Sequence, residues 1–255
     1  MYIFVPCGKC FACQSRKRSE WSMRLTYEAV HSKTSLFVTL TYEDKNLPST
    51  IEGFPTLFKR DLQLFFKRLR KKYPYEHIKY FACGEYGTHT GRPHYHAIIF
   101  GLPYHEKRNR FVDYWCNEIA DIWANGNITC SSVNAARIGY LTKYILKSQY
   151  ELEQFKILQI QKPFMVCSRR PGIGSDLCTR DKNYINPKTT KLRLYGNSIP
   201  LPKYCLDKLD DDLKNAIKLS RRAFCFYNPQ KENNSYLADV RDKEKILRYK
   251  RQKDL

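Results

Sequence analysis

Two histidines separated by one residue open the apolar run PHYHAIIF, residues 93 to 100. Along a strand successive side chains alternate, so His94 and His96 share one face and Tyr95 takes the other. Their Cα atoms would stand roughly 6 to 7 Å apart, close enough for two imidazoles to share one metal ion. A third ligand is expected from the neighbouring strand, and Glu85 in GEYG lies upstream across an expected hairpin turn. One carboxylate with two histidines suits Mg2+ or Mn2+ and leaves positions for substrate oxygens. His89 is the substitute ligand should Glu85 point away. The plain alternative is that both histidines begin a strand and bond only to solvent. His31, His77 and His105 stand alone in the sequence and are read in that plain way.

A second constellation is YLTKYILK, residues 140 to 147, with two overlapping Tyr-x-x-Lys pairs. On a helix Tyr140 and Tyr144 stack on one face, and Lys143 and Lys147 each follow a tyrosine by about one turn. A phenol with a pKa of about 10 is a weak nucleophile at neutral pH and needs a cation or a metal-polarised electrophile nearby. The lysines could supply that field. In a chain with 19 tyrosines the alternative is that these two fill a core.

The third constellation is CGKCFAC, which spaces Cys7, Cys10 and Cys13 as thiolate ligands are spaced. A closed tetrahedral Zn2+ site needs a fourth ligand, which Cys83, Cys130 or His31 could provide. An iron–sulfur reading lacks the fourth cysteine and the following proline of the ferredoxin run. Three reduced thiols without metal are the alternative.

Periodicity indicates which elements must position these groups. Residues 14 to 32 and 57 to 73 read as basic amphipathic helices, the second with Leu62, Phe65, Phe66 and Leu69 on one face. LFVTLTY (36 to 42), HIKYFACGEYG (77 to 87) and HYHAIIFG (94 to 101) read as strands, the last two as a hairpin. A helix over 110 to 126 is expected to close at Gly126, followed by a strand at 127 to 133 and a helix over 136 to 154. This order implies an α+β fold, a central antiparallel sheet flanked by helices, with one sheet face covered and the other free to bind. Beyond residue 160 the pattern weakens to a short strand, a basic turn, a helix over 210 to 224 and a charged tail. The expected divisions are a Cys-rich basic segment with its helix at 1–33, a core at 34–155 and an α/β extension at 156–255.

The 255 residues carry 45 Lys and Arg against 25 Asp and Glu, a formal charge of +20, which points to a polyanionic partner. Phosphate contacts are expected from the helix KRDLQLFFKRLRKK, through Lys59, Arg60, Lys67, Arg68, Arg70 and Lys71, and from Lys147. The apolar runs fall far short of the ~18 residues that span a bilayer, so no membrane partner is expected. MYIFVPCGKC does not read as a signal peptide. A cytoplasmic setting, with few or no disulfides among the 10 cysteines, follows.

The ordered set FVTLTY, GEYG, PHYH and YLTKY, with CGKCFAC before it and SRRPGIG after it, resembles the HUH endonucleases. The whole arrangement is similar to the replication initiators of small single-stranded DNA phages, microviruses of the gokushovirus type. The resemblance implies a rolling-circle replication initiator that nicks single-stranded origin DNA through a 5′-phosphotyrosine intermediate and later joins the strand. It casts His94, His96 and Glu85 as ligands of a catalytic divalent ion, and Tyr140 and Tyr144 as paired nucleophiles with Lys143 between them. Tyr95 departs from the family in being more polar than the aliphatic residue usual in that slot. No GxxxxGK[ST] phosphate loop appears, so a host helicase is implied beside a host DNA polymerase, in the cytoplasm of a bacterial host.

Three rivals bear on these residues. A histidine-triad nucleotide hydrolase would need a histidine where Ile98 stands. A non-catalytic single-stranded DNA-binding protein accounts for charge and aromatics but not for the histidine and tyrosine sets. An HUH relaxase or transposase of a mobile element shares the chemistry, and only the phage-like ends of the chain favour replication over it.

Overall fold

The computed structural model describes residues 7–8, 10–104, 110–143, 145, 152–179, 185–186, 191–194 and 197–227. Tyr144, Lys147, His105 and the charged tail lie outside them. The chain divides into two compact units, Arg24–Gly174 and the paired segments Met1–Met23 and Ser175–Leu255. The first takes in the second half of helix α1 (Phe11–His31) and a strand at Phe164–Cys167 as well as the expected core.

At its centre is a five-stranded antiparallel sheet of β1 (Ser35–Thr41), β2 (Lys79–Tyr86), β3 (Pro93–Phe100), β4 (Ile128–Ser132) and β5 (Phe164–Cys167). The strand order is β4-β1-β3-β2-β5, which puts β3 in the middle. A central strand is buried on both faces, and β3 is apolar on nearly every residue after His96 for that reason. The expected hairpin is present, with Glu85 opposite His94 and Cys83 opposite His96.

Alternation sorts the side chains. Leu36, Val38, Leu40, Ala82, Tyr95, Ala97 and Ile99 join a core with Leu62, Phe65, Phe66 and Leu69 of α2 (Lys59–Lys72). Trp115, Ile119, Ile122 and Trp123 of α3 (Phe111–Trp123) complete it. The helical spacing of α2's apolar residues is what lets one stripe meet one sheet face.

The structure changes three details. First, α3 ends at Ala124, which adopts a left-handed conformation with φ 56°, rather than at Gly126. Gly126 serves a close approach instead: a Cβ there would run into the backbone of Thr41, Tyr42 and Glu43. Second, the helical reading of 136 to 154 resolves into α4 (Ala135–Lys143) and α5 (Leu152–Ile157). Third, the second sheet face is not left bare. Glu28 of α1 reaches Lys79 at the start of β2, 2.8 Å away, and accepts from the Gly174 amide at 2.7 Å. Tyr140 of α4 closes on the same face farther along.

In the other unit α6 (Asp176–Thr179) precedes a small antiparallel sheet of β6 (Ile185–Asn186), β7 (Lys191–Leu194) and β8 (Asn197–Pro200). Helices α7 (Lys203–Leu206) and α8 (Asp211–Tyr227) follow, the latter as periodicity indicates. The small sheet has strands too short for a sequence pattern to reveal. Cys205 is disulfide-bonded, while Cys7, Cys10, Cys13, Cys83, Cys116, Cys130 and Cys167 carry no disulfide. Among the described residues no helix is long and apolar enough to cross a membrane.

Candidate metal centre and nucleophile

The hairpin register brings Glu85 and His94 side by side, and the two-residue repeat adds His96 on the same face. Glu85 Oε1 lies 2.8 Å from His96 Nε2 and 3.1 Å from His94 Nε2. The three prospective ligand atoms fall within 4.8 Å of one another. Their side chains are 4%, 9% and 19% exposed for Glu85, His96 and His94, so the group is sunk in the sheet and opens at the His94 end.

The outer ring nitrogens are already engaged. His96 Nδ1 meets Thr39 Oγ1 at 2.9 Å, and His94 Nδ1 meets the Arg92 carbonyl at 3.1 Å. Partners of this kind fix a ring's orientation and leave Nε2 for a metal. A nearly buried carboxylate facing two such nitrogens is a donor set that fits a divalent ion, with Glu85, His94 and His96 to hold it. His89, the substitute ligand, is exposed in the turn between β2 and β3 and lies outside the group.

Tyr140 completes the arrangement. Ile138, Leu141 and Thr142 bury one side of α4, and Tyr140 turns toward the sheet. Its hydroxyl donates to Glu85 Oε1 at 3.1 Å and stands 3.4 Å from His96 Nε2. The Lys143 ammonium lies 3.9 Å from the centre of the Tyr140 ring. A cation over the ring face is attracted by its quadrupole and stabilises negative charge developing on the oxygen. The strand pair and the first tyrosine of the helix pair, distant in sequence, thus meet in space.

Tyr95, on the opposite side of the same strand, has a different fate. Its hydroxyl is 2.8 Å from the Tyr42 hydroxyl, accepts from the Phe58 amide at 2.9 Å and donates to the Phe58 carbonyl at 3.1 Å. Tyr42 in turn donates to Asp61 Oδ2 at 2.8 Å. Burial pushes the Tyr95 phenol up to about 12, and burial likewise raises that of Tyr42, so both stay protonated at neutral pH. The polar tip of Tyr95 pins the start of α2 to the sheet, a task no aliphatic residue in that slot could perform.

The basic helix lies across the sheet from the metal group. Arg68 donates to the carbonyls of Ile122 and Trp123, at 2.9 and 3.1 Å, where α3 ends. Arg70 donates to the Ile78 carbonyl at 2.9 Å and to Ser168 Oγ at 3.1 Å, over the Tyr80 ring. These two expected phosphate ligands bind the protein's own backbone. Lys59, Arg60, Lys67 and Lys71 are exposed. The second tyrosine, Tyr144, and Lys147 lie outside the described residues.

In the other unit, Cys7, Cys10 and Cys13 gather their sulfurs within 4.8 Å. Gly8, with φ 73°, turns the chain so that the Cys10 amide donates to Cys7 Sγ at 3.2 Å. The expected fourth ligands have other neighbours. His31 stacks on Tyr27 with Nδ1 2.9 Å from the Tyr27 carbonyl, Cys83 is buried in β2, and Cys130 lies beside Cys116 with burial raising its thiol.

Sequence reasoning misses Thr39, Phe37, Asn134 and Arg137. Phe37 and Thr39 alternate with the core positions of β1, and Thr39 stands opposite His96 in the ladder, so a correct pairing of β1 with β3 would find them. An open groove of about 500 Å3 beside Tyr140 is lined by Phe37, His96, Asn134, Ala136, Arg137 and Tyr140.

Residues 35–149 match the family model of the replication-associated protein ORF2. The replication-associated protein ORF2 of Spiroplasma virus 4 is 30% identical over 213 residues, 78% of this chain and 66% of that protein. The replication-associated protein VP4 of Bdellovibrio phage phiMH2K is 32% identical over 155 residues, 56% of this chain and 48% of the relative. The replication-associated protein ORF4 of Chlamydia phage 1 is 28% identical over 156 residues, 56% of this chain and 38% of the relative. The chain therefore spans less than two thirds of the length of each of these relatives. No solved structure matches it.

Proposed function

Because the chain belongs, through residues 35–149, to the family of the replication-associated protein ORF2, we propose that it initiates rolling-circle replication of a small single-stranded DNA phage by nicking origin DNA. The observation that carries this reading is the Tyr140 hydroxyl at 3.1 Å from Glu85 and 3.4 Å from His96, a nucleophile lodged at a prospective metal group.

Glu85, His94 and His96 would hold Mg2+ or Mn2+, which supplies Lewis-acid polarisation of a scissile phosphate. Tyr140 loses its phenolic proton as its oxygen bonds to phosphorus. The bond from phosphorus to the 3′ oxygen breaks, and that oxygen takes up a proton. The result is a 5′-phosphotyrosine and a 3′-OH that primes a host polymerase. Glu85 Oε1 already accepts the phenol's hydrogen bond, and the Lys143 charge over the ring favours the phenolate. Thr39 and the Arg92 carbonyl keep the two imidazoles from rotating. Tyr144 would act as the second nucleophile, cutting the regenerated origin while the released 3′-OH attacks the first phosphotyrosine.

Lys59, Arg60, Lys67 and Lys71 would contact phosphates of the single strand away from the cut, and a host helicase would unwind the duplex. Zn2+ held by Cys7, Cys10 and Cys13 would order the start of α1. The setting is the bacterial cytoplasm.

The test is incubation with labelled single-stranded origin DNA and Mn2+, followed by a denaturing gel with and without protease. A metal-dependent protein–DNA adduct, lost in His94→Ala and in the Tyr140→Phe, Tyr144→Phe double variant, is expected. Tight, salt-sensitive binding of intact DNA with no adduct would leave a non-catalytic binder in its place.

A further inference from the structure

We propose that the groove beside Tyr140 holds the base of a nucleotide flanking the phosphate that Tyr140 attacks, an inference that rests on the nicking reading above. The groove begins at the Tyr140 and His96 side chains, so a strand presenting a phosphate to the Tyr140 oxygen passes its neighbouring nucleotide along it. Its volume of about 500 Å3 lies within the range of roughly 300 to 1,000 Å3 of small-ligand sites.

The lining suits a base. Phe37 forms the floor and stacks against His96, with ring centres 5.6 Å apart. The Arg137 guanidinium lies 6.0 Å from the centre of Phe37, held by a 3.0 Å bond from Nη1 to the Ser132 carbonyl. Arg137, Phe37 and His96 thus form one column that ties the groove to the metal group. None of the lining residues carries a carboxylate, and Arg137 adds positive charge beside a polyanionic strand.

The rim also discriminates. Asn134 Oδ1 is committed to capping α4, accepting from the Arg137 amide at 2.9 Å, so its remaining offering is the amide NH2. Arg137 has only donors. A donor-only rim favours a base with carbonyl acceptors, guanine or thymine, over adenine.

The test begins by locating the nick from protein-linked fragments of single-stranded phage DNA. Oligonucleotides with an abasic site, or adenine, at each flanking position are then compared for the rate of adduct formation. One abasic position should slow the wild type roughly tenfold, the scale of a lost base stack. Ala136→Trp, which fills the groove from an exposed position, and Arg137→Ala should slow the intact substrate to a similar degree and become indifferent to that abasic site. In parallel, bromodeoxyuridine scanned through the oligonucleotide should cross-link from that position to the peptide of Phe37 or of Asn134–Tyr140. Equal wild-type rates with every abasic substrate, or no such cross-link, would overturn the proposal. Absence of any adduct from the wild type would overturn the nicking reading instead, while the cross-link, which needs no cleavage, still reports on the groove.

Discussion

Strand β3 has two faces that obey different rules. On one, Tyr95, Ala97 and Ile99 sit under α2 and α3, with the Tyr95 hydroxyl paired to protein on every side. On the other, His94 and His96 share the carboxylate of Glu85 beside a groove open to solvent. Both faces carry tyrosine hydroxyls in hydrogen bonds, Tyr95 among them on one and Tyr140 on the other. What separates a strut from a nucleophile here is the company: Tyr42 and a buried backbone for Tyr95, a metal-ligating set and a cation for Tyr140. One residue of register along β3 exchanges these surroundings.

The contrast can be broken at its sharpest point by Tyr140→Phe. We predict that it cuts adduct formation on the order of 10³-fold or more while leaving the urea midpoint within error. A variant that still formed adduct at the wild-type rate would transfer the nucleophile's role elsewhere. Next, His96→Ala should weaken Mn2+ binding by about 100-fold in a calorimetric titration, with secondary structure intact by circular dichroism. Unchanged Mn2+ affinity would detach the metal from this face.

Tyr95→Phe tests the other side. It leaves buried partners at Tyr42 and Phe58 short of a hydrogen bond and is expected to lower stability by about 1 to 3 kcal/mol with the rate of adduct formation preserved. A large loss of rate at unchanged stability would join the two faces functionally. The smallest effect is expected on the outer surface of α2. Lys67→Ala and Lys71→Ala should each reduce the slope of log affinity against log salt by about 1 without moving the urea midpoint. Arg70→Ala, which abandons the Ile78 carbonyl and Ser168, should do the reverse, lowering stability more than DNA affinity.

Much of this contrast is legible in PHYHAIIF itself, because a period of two is enough to place Tyr95 opposite to its histidines. Glu85 is legible too, since GEYG and PHYH bracket a short turn and set the hairpin register. The Tyr140 hydroxyl's position follows less directly, as it depends on how α4 leans on the sheet. What stays hidden are contacts made by backbone. Arg68 and Arg70 look like the other cations of α2 in sequence, and only the carbonyls offered by the end of α3 and the approach to β2 reveal why they differ. Gly126 misleads for a similar reason: its lack of a side chain answers to β1's exit, far away in sequence, and not to the helix before it. The groove residues escape notice because an Asn, an Arg and a Phe carry no motif until the fold sets them around one space.

The strand at Phe164–Cys167 carries a lesson about portability. It lies beyond the family match at 35–149, yet it pairs along β2 from Phe81 to Gly84, immediately before Glu85. Its Phe164 also sits so close to Gly84 that a Cβ there would come within 3.0 Å of the ring. A graft of residues 35–149 alone would keep the histidines, the carboxylate and Tyr140 but strip β2 of its outer neighbour. Strand β2 would become a bare edge, prone to pairing with other chains, at the element that carries the carboxylate. The smallest transplantable catalytic module of this protein therefore ends past Cys167, and its boundary is set by hydrogen bonding rather than by the motif.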